Sequence, residues 1–258
     1  MCIRDSYNSW CKGGYKSDIM ININCDLGEG LDNEHIIMPL IKSSNIACGG
    51  HAGDINSMIK CVELSIINNV EIGAHPSYPD KENFGRIHLD IPALALKESI
   101  LNQIESLISI CKNHNTDLNH IKAHGALYNE MIKDSELSSI YLDIIDIYKD
   151  KYYLYIPYKS EIEKIAIDRG FKIKYEAFGD RNYNDDLTLV SRKEKEALIN
   201  IPEKVIKHIS EIYYNNCVVS VNGNKNHIKA DTYCIHSDTE NVENILKSIE
   251  EHFRNEKK

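Results

Sequence analysis

The sequence predicts an α/β fold: a closed or nearly closed parallel β/α barrel, built as a single domain over residues 20–258. Three observations predict it. Short Ile- and Val-rich runs alternate with longer segments of helical periodicity, and no linker or low-complexity stretch interrupts them. Polar and Gly-rich segments follow nearly every run. A barrel gathers all such strand ends at one mouth, whereas an open sheet enriches only its switch point. The first turn carries no GxGxxG, which argues against a dinucleotide-binding open sheet.

The elements follow in order. MIININC, from Met20, alternates as a strand should, with Ile21 to Cys25 as the first run, emptying into Asp26-Leu27-Gly28-Glu29-Gly30. Asn45 to Cys48 is the second, followed by Gly49-Gly50-His51-Ala52-Gly53-Asp54. Ser57 to Asn68 has helical spacing in Met58, Cys61, Val62, Ser65 and Ile66. Val70 to Ala74 is the third run and ends at His75-Pro76-Ser77. Pro92 to Cys111 is a long helix with the proline in its first turn. Asn119 to Ala123 is the fourth run and leads into His124-Gly125. Leu137 to Tyr148 is helical, and Tyr152 to Ile156 is the fifth strand. Ser160 to Arg169 is a helix closed by Gly170. Phe171 to Ala177 is the sixth strand, before a polar loop from Gly179 to Asn184. Pro202 to Tyr213 is helical, Val218 to Val221 is the seventh strand, and Thr232 to His236 is a short last one. Asp238 to Phe253 is the closing helix.

Residues 1–19 have neither this patterning nor the apolar core of a signal peptide, and read as a non-native or disordered N-terminal extension. Thirty Lys and Arg stand against 39 Asp and Glu, a net charge of -9, which excludes a non-specific nucleic-acid coat. No apolar run is long enough for a membrane helix. The eight cysteines form no CxxC pair, and Cys25, Cys48 and Cys234 sit in strand-like runs as reduced, buried thiols. A cytoplasmic protein is the simplest inference.

The polar residues at the ends of the runs carry the chemistry. They are Asp26, Glu29, His51, Asp54, His75, Lys122, His124, Asp180, Arg181, Asp231, His236 and Asp238. Acids, bases and cations sharing one cavity shift one another's pKa and divide proton-transfer roles. Asp54 suits equally an N-cap of the following helix. Lys122 and His124 fall on one strand face by period-2 alternation. Three His and an Asp also have the chemistry of a divalent-metal site, although no HExxH-like spacing marks one. His35, His88, His114, His120, His208, His227 and His252 are expected at the surface. No Walker motif and no GxSxG elbow occurs.

Five segments in order, with a weaker sixth, carry a family resemblance. They are Asn24-Cys25-Asp26-Leu27-Gly28-Glu29-Gly30, the Asn45 to Asp54 stretch, and Gly73 to Asp80 with Asn83-Phe84-Gly85-Arg86. Then come Lys122 to Asn129, Phe178 to Tyr183 continuing to Leu189-Val190-Ser191-Arg192, and Cys234-Ile235-His236-Ser237-Asp238. Together they resemble the LamB/YcsF family, described as the A subunits of bacterial 5-oxoprolinases. Ala123, Gly50, Gly179, Asp186 and Ser237 depart from the family pattern. Asp186 and Ser237 stand where glycine is usual, and a turn of positive φ at Ser237 would strain His236 or Asp238.

The resemblance implies a distorted, seven-stranded β/α barrel of the glycoside hydrolase/deacetylase type. It implies ATP-dependent opening of the lactam of 5-oxo-L-proline to L-glutamate, together with subunits B and C, which share or hold the ATP site. On this reading Asp26, or one of His51, His75 and His124, is the general base, with Glu29 in the same set. Lys122 and Arg181 hold a carboxylate or phosphoryl oxygen. Asp180 orients Arg181 or an imidazole. His236 protonates the leaving nitrogen, with Asp238 setting its tautomer. The backbone around Gly49, Gly50 and Gly53 forms an anion nest for phosphate. A metal-dependent deacetylase or polysaccharide hydrolase is one alternative. A non-catalytic interaction protein, resting on Asp186 and Ser237, is another.

Overall fold

The computed structural model describes residues 21–255; the extension at residues 1–19 lies outside them. Strands β1 (Ile23–Leu27), β2 (Ser43–Ala47), β3 (Glu71–His75), β4 (His120–Ile121), β5 (Tyr153–Pro157) and β6 (Ile173–Phe178) run parallel, each paired with the next. The run expected as the seventh barrel strand is not one. Strand β7 (Cys217–Val219) pairs antiparallel with β8 (Lys225–His227) in a hairpin outside the barrel. Val218 is buried there while Val219 and Val221 are exposed, the one-sided burial of a hairpin rather than of a barrel strand. The barrel is closed instead by β9 (Thr232–Cys234), which pairs with both β6 and β1 and makes seven strands.

The principal helices are α2 (Ile55–Asn68), α3 (Ala93–Asn113), α5 (Ser135–Ile145), α6 (Glu161–Asp168), α7 (Pro202–Asn215) and α8 (Val242–Asn255), with the short α1 (Glu34–Ile37) and α4 (Gly125–Glu130). Several starts are written in side chains. Asp54 caps α2 in a reciprocal box with Ser57, and Ser160 caps α6. Pro92 precedes α3 as its N-cap instead of lying in its first turn. No helix among the described residues is long and apolar enough to cross a membrane.

Alternation divides each strand. In β1, Ile23, Cys25 and Leu27 join the main apolar core, while Asn24 and Asp26 hydrogen-bond across the barrel interior. That interior is polar. Asn24 Nδ2 donates to Thr232 Oγ1 at 2.8 Å, and Asn45 Nδ2 reaches both Asn24 Oδ1 and Asp26 Oδ1 at 2.7 Å. His120 belongs to this floor and not to the surface. Its Nε2–H donates to Asn45 Oδ1 at 2.7 Å, and its ring stacks on Tyr155 with centroids 3.9 Å apart. Gly73 makes room for it, since a Cβ there would lie 2.0 Å from His120 Nε2. The apolar layers usual in such barrels are replaced here by a hydrogen-bonded ladder that leads upward to the charged residues at the mouth.

Candidate functional site

Asp26 and Lys122 form the lowest tier of the mouth. Asp26 is in β1, and Lys122 follows β4 directly. Lys122 Nζ lies 2.8 Å from Asp26 Oδ1, 3.0 Å from Glu176 Oε1 in β6, and 3.2 Å from Cys234 Sγ in β9. All four side chains are buried. Burial alone would strip the ammonium of its proton; Asp26, Cys234 and Glu176 outweigh it and hold the Lys122 pKa well above the usual value. Burial likewise opposes the Asp26 carboxylate, but His75 and Lys122 hold its pKa well below the ordinary range. Lys122 is therefore a permanent cation between two carboxylates.

Above it lie three imidazoles and Glu29. His75 ends β3, His124 precedes α4, and His51 and Glu29 come from the loops after β2 and β1. His75 Nδ1–H donates to the Lys122 carbonyl at 2.8 Å, and His75 Nε2 faces Asp26 Oδ2 at 3.3 Å and His124 Nδ1 at 2.9 Å. His124 Nε2–H donates to the Phe84 carbonyl at 3.0 Å. His51 stacks on His124 with centroids 3.6 Å apart and planes 3° from parallel, and its Nε2–H donates to Glu29 Oε1 at 3.0 Å. Burial, reinforced by the neighbouring imidazoles, pushes His124 well below its usual pKa, and burial also lowers His51. The loop bearing Phe84 reaches the imidazoles because Gly85 and Gly125, both at positive φ, pass close. A Cβ on Gly125 would lie 2.4 Å from the Gly85 carbonyl oxygen.

His236, two residues beyond β9, is held by Asp180, two residues beyond β6. The fully buried Asp180 accepts from the His236 backbone N–H at 2.8 Å, from Nδ1 at 3.0 Å and from Thr239 Oγ1 at 2.5 Å. Burial would raise its pKa, but His236 and these donors lower it on balance. One expected role is thereby corrected. Asp180, and not Asp238, sets the His236 ring, because Asp238 Oδ2 receives Arg86 at 2.9 Å and Arg192 at 3.0 Å. Of the two partners expected for Asp180, it takes the imidazole and not Arg181, whose Nη2 and Nε donate to the Val190 and Ala197 carbonyls. Burial and the nearby Arg192 pull Arg181 down to about 10.

Asp26, Glu29, His75, Lys122, His124, Arg181 and His236 face one cavity of about 610 Å³, joined by Arg86, Arg192 and Lys193. His51 and Asp180 stand behind this wall and act on residues in it, and the exposed Asp238 pairs with Arg86 and Arg192 of the wall. The turn at Gly49, Gly50 and Gly53 does not line the cavity. Its Gly49 N–H is bonded to the Ala52 carbonyl, and a Cβ on Gly50 would meet Gln103 and Ser77. Asp54 is a helix cap. Asp231 precedes β9 at the opposite end of the barrel and binds the Tyr175 N–H. Neither Asp186 nor Ser237 is at positive φ, so the expected strain is absent; Leu187 takes the left-handed position beside Asp186 instead.

Sequence reasoning assigns no role to Glu176, Arg86 or Arg192. A lysine inside an apolar strand needs a buried acid, and that need is the available signal for Glu176. Two sets of metal-ligating atoms converge among the described residues: Glu29, His51, His75 and His124, and separately Asp26, Cys234 and His236.

Residues 21–258 match the family model described as LamB/YcsF family. The chain is 37% identical over 236 residues to the A subunit of 5-oxoprolinase from Staphylococcus aureus strain MRSA252, covering 90% of this chain and 94% of that one. It is 36% identical over the same length to the protein of that name from strain Newman. Among solved structures, the lactam utilization protein from Thermus thermophilus superposes with a TM-score of 0.85 at 27% identity, covering 93% of this chain and 98% of that one.

Proposed function

The chain belongs to the LamB/YcsF family, and from that premise we propose that it is the A component of a cytoplasmic 5-oxoprolinase. The enzyme opens the lactam of 5-oxo-L-proline to L-glutamate with hydrolysis of ATP, and this chain works with subunits B and C. The observation that carries the reading is the convergence on one cavity of an Asp-held imidazole, a buried acid–lysine pair and several arginines.

The residues divide the work by their partners. Asp180 takes the Nδ1 proton side of His236, so Nε2 is the nitrogen left for the cavity. There it accepts a proton from attacking water as the hydroxyl joins the lactam carbonyl carbon. The same proton passes to the ring nitrogen as the C–N bond breaks, which yields the amine of glutamate. Asp26, ionised and fixed by Lys122 and Asn45 on one oxygen, orients His75 with the other. Lys122 is engaged by Asp26 and Glu176, so the substrate carboxylate falls to Arg181, which lines the cavity. Arg86, Arg192 and Lys193 supply the positive charge a polyphosphate needs at the wall. ATP, when bound, would supply a phosphoryl group to the lactam oxygen that makes the carbonyl carbon a better electrophile and is finally released as inorganic phosphate.

Reconstitution tests this. The chain is mixed with its cognate B and C subunits, 5-oxo-L-proline and ATP, and glutamate is measured with and without it. Glutamate formed only in the complete mixture is the expected outcome. An assembled complex that forms none, while the chain alone removes acetyl groups from sugars, would replace the reading with a deacetylase.

A further inference from the structure

We propose that Glu29, His75 and His124 form a divalent-metal site of the zinc class in the cavity wall, with His51 as the residue that positions Glu29. The inference goes beyond the lactamase reading and does not rest on it.

The tautomers carry the argument. A carbonyl oxygen can only accept, so His75 has its proton on Nδ1, facing Lys122 O, and His124 has its proton on Nε2, facing Phe84 O. The nitrogens left over, His75 Nε2 and His124 Nδ1, then bring two lone pairs to 2.9 Å from each other. Such a contact needs a cation. Glu29 Oε1 adds a negative charge 3.6 Å from His124 Nδ1, and no lysine or arginine pairs with Glu29 among the described residues.

The geometry matches a metal. Bonds of about 2.0–2.1 Å in a tetrahedral zinc site place neighbouring ligand atoms about 3.4 Å apart, and the separations of 2.9 and 3.6 Å bracket that value. The ring planes of His75 and His124 are 88° apart, so both can aim at one point. Each ring is anchored by a carbonyl on its far nitrogen, as ligating imidazoles usually are. His51 is different. It lies flat on His124 with planes 3° apart, so a metal in the plane of His124 is out of the plane of His51. Its Nε2–H instead fixes Glu29. The three ligands line the cavity and His51 does not, which leaves the remaining coordination positions facing that space.

The second convergent set, Asp26, Cys234 and His236, is the internal control. There Lys122 Nζ sits 2.8 Å from Asp26 Oδ1 and 3.2 Å from Cys234 Sγ, so the chain provides its own cation.

The test uses the purified full chain, stripped with chelator and titrated with Zn²⁺ by calorimetry. Zinc K-edge X-ray absorption of the loaded protein then reads the ligands. The expected result is one zinc per chain, in a shell of nitrogen and oxygen without sulfur. His124→Asn and Glu29→Gln should each lower affinity at least 100-fold, and His51→Asn about 10- to 100-fold as an outer-shell change. His88→Asn, in an exposed His–Glu130 pair, should change nothing. Absence of stoichiometric binding by the wild type would overturn the site and mean that a proton joins His75 to His124. Sulfur in the shell would overturn it in favour of Cys234. The wild-type spectrum decides even if a variant fails to fold, and neither readout depends on turnover.

Discussion

Two groups of ligand-type side chains lie side by side at the mouth of the barrel, with His75 between them, and they settle their charge in opposite ways. In the Asp26–Glu176–Cys234 group, the Lys122 ammonium sits among the ligands and is held charged by them. In the Glu29–His75–His124 group, the ligand atoms converge with no lysine or arginine side chain among their described partners. The first is a structural charge carried in the covalent chain. The second has a charge set by whatever proton or ion it takes up. One barrel mouth thus contains a fixed electrostatic floor and an adjustable wall.

The largest effect should come from breaking the floor. Lys122→Met leaves Asp26 and Glu176 buried without their cation, and should cost roughly 3–5 kcal/mol of stability in urea unfolding. Adding Glu176→Gln should recover part of the loss. A cost within the error of the melts would mean that the floor is not a structural charge.

The next effect is on turnover. Asp180→Asn removes the carboxylate that holds His236 Nδ1, and glutamate formation by the assembled complex should fall about 100-fold or more. Circular dichroism and complex assembly should be retained.

Acid separates floor from surroundings more gently. Burial holds His120 well below its usual pKa and His208 down to about 4, so both stay neutral while the unfolded chain takes up protons at about 6.5. Their contribution is therefore complete above that pH and is lost as pH falls from it, by up to about 1.4 kcal/mol per pH unit for each histidine. His208→Gln should flatten the slope between about 6.5 and 4. Asp26 behaves differently. Its lowered pKa keeps its contribution intact down to the ordinary carboxylate range near 3.9, with loss only below. Urea melts across this range would show the histidine part first and the Asp26 part last.

The smallest effect marks where the comparison ends. Asp54 follows the same strand as His51 but caps α2, so Asp54→Ala should cost about 1 kcal/mol and leave glutamate formation unchanged.

Most of the site is legible in the sequence because strand ends in a barrel are also chemical positions. Asp26, Glu29, His75, Lys122, His124 and His236 all stand out as polar residues ending apolar runs, and they line the cavity. Period-2 spacing places Lys122 and His124 on one side. The same rule applied to Asn24 and Asp26, or to His120 and Lys122, exposes the polar interior, but a buried histidine in a short strand looks like a surface one in sequence. Pairings across long sequence separations are hidden. Nothing local tells that Asp180 binds His236 or that Asp238 turns to Arg86 and Arg192. The run Val218 to Val221 misleads because a few apolar residues fit a hairpin edge as well as a barrel strand; only closure by β9 distinguishes them.

The central claim is that chemistry occurs in this cavity, and His236 tests it most directly, since its ring faces the cavity while its partner is buried behind. The measurement is ATP-dependent glutamate formation by the complex reconstituted with His236→Asn, with assembly verified by size-exclusion chromatography. A fall of about 100-fold or more from the wild-type rate is expected. Wild-type turnover from a fully assembled variant complex would contradict the claim and move the chemistry away from this chain.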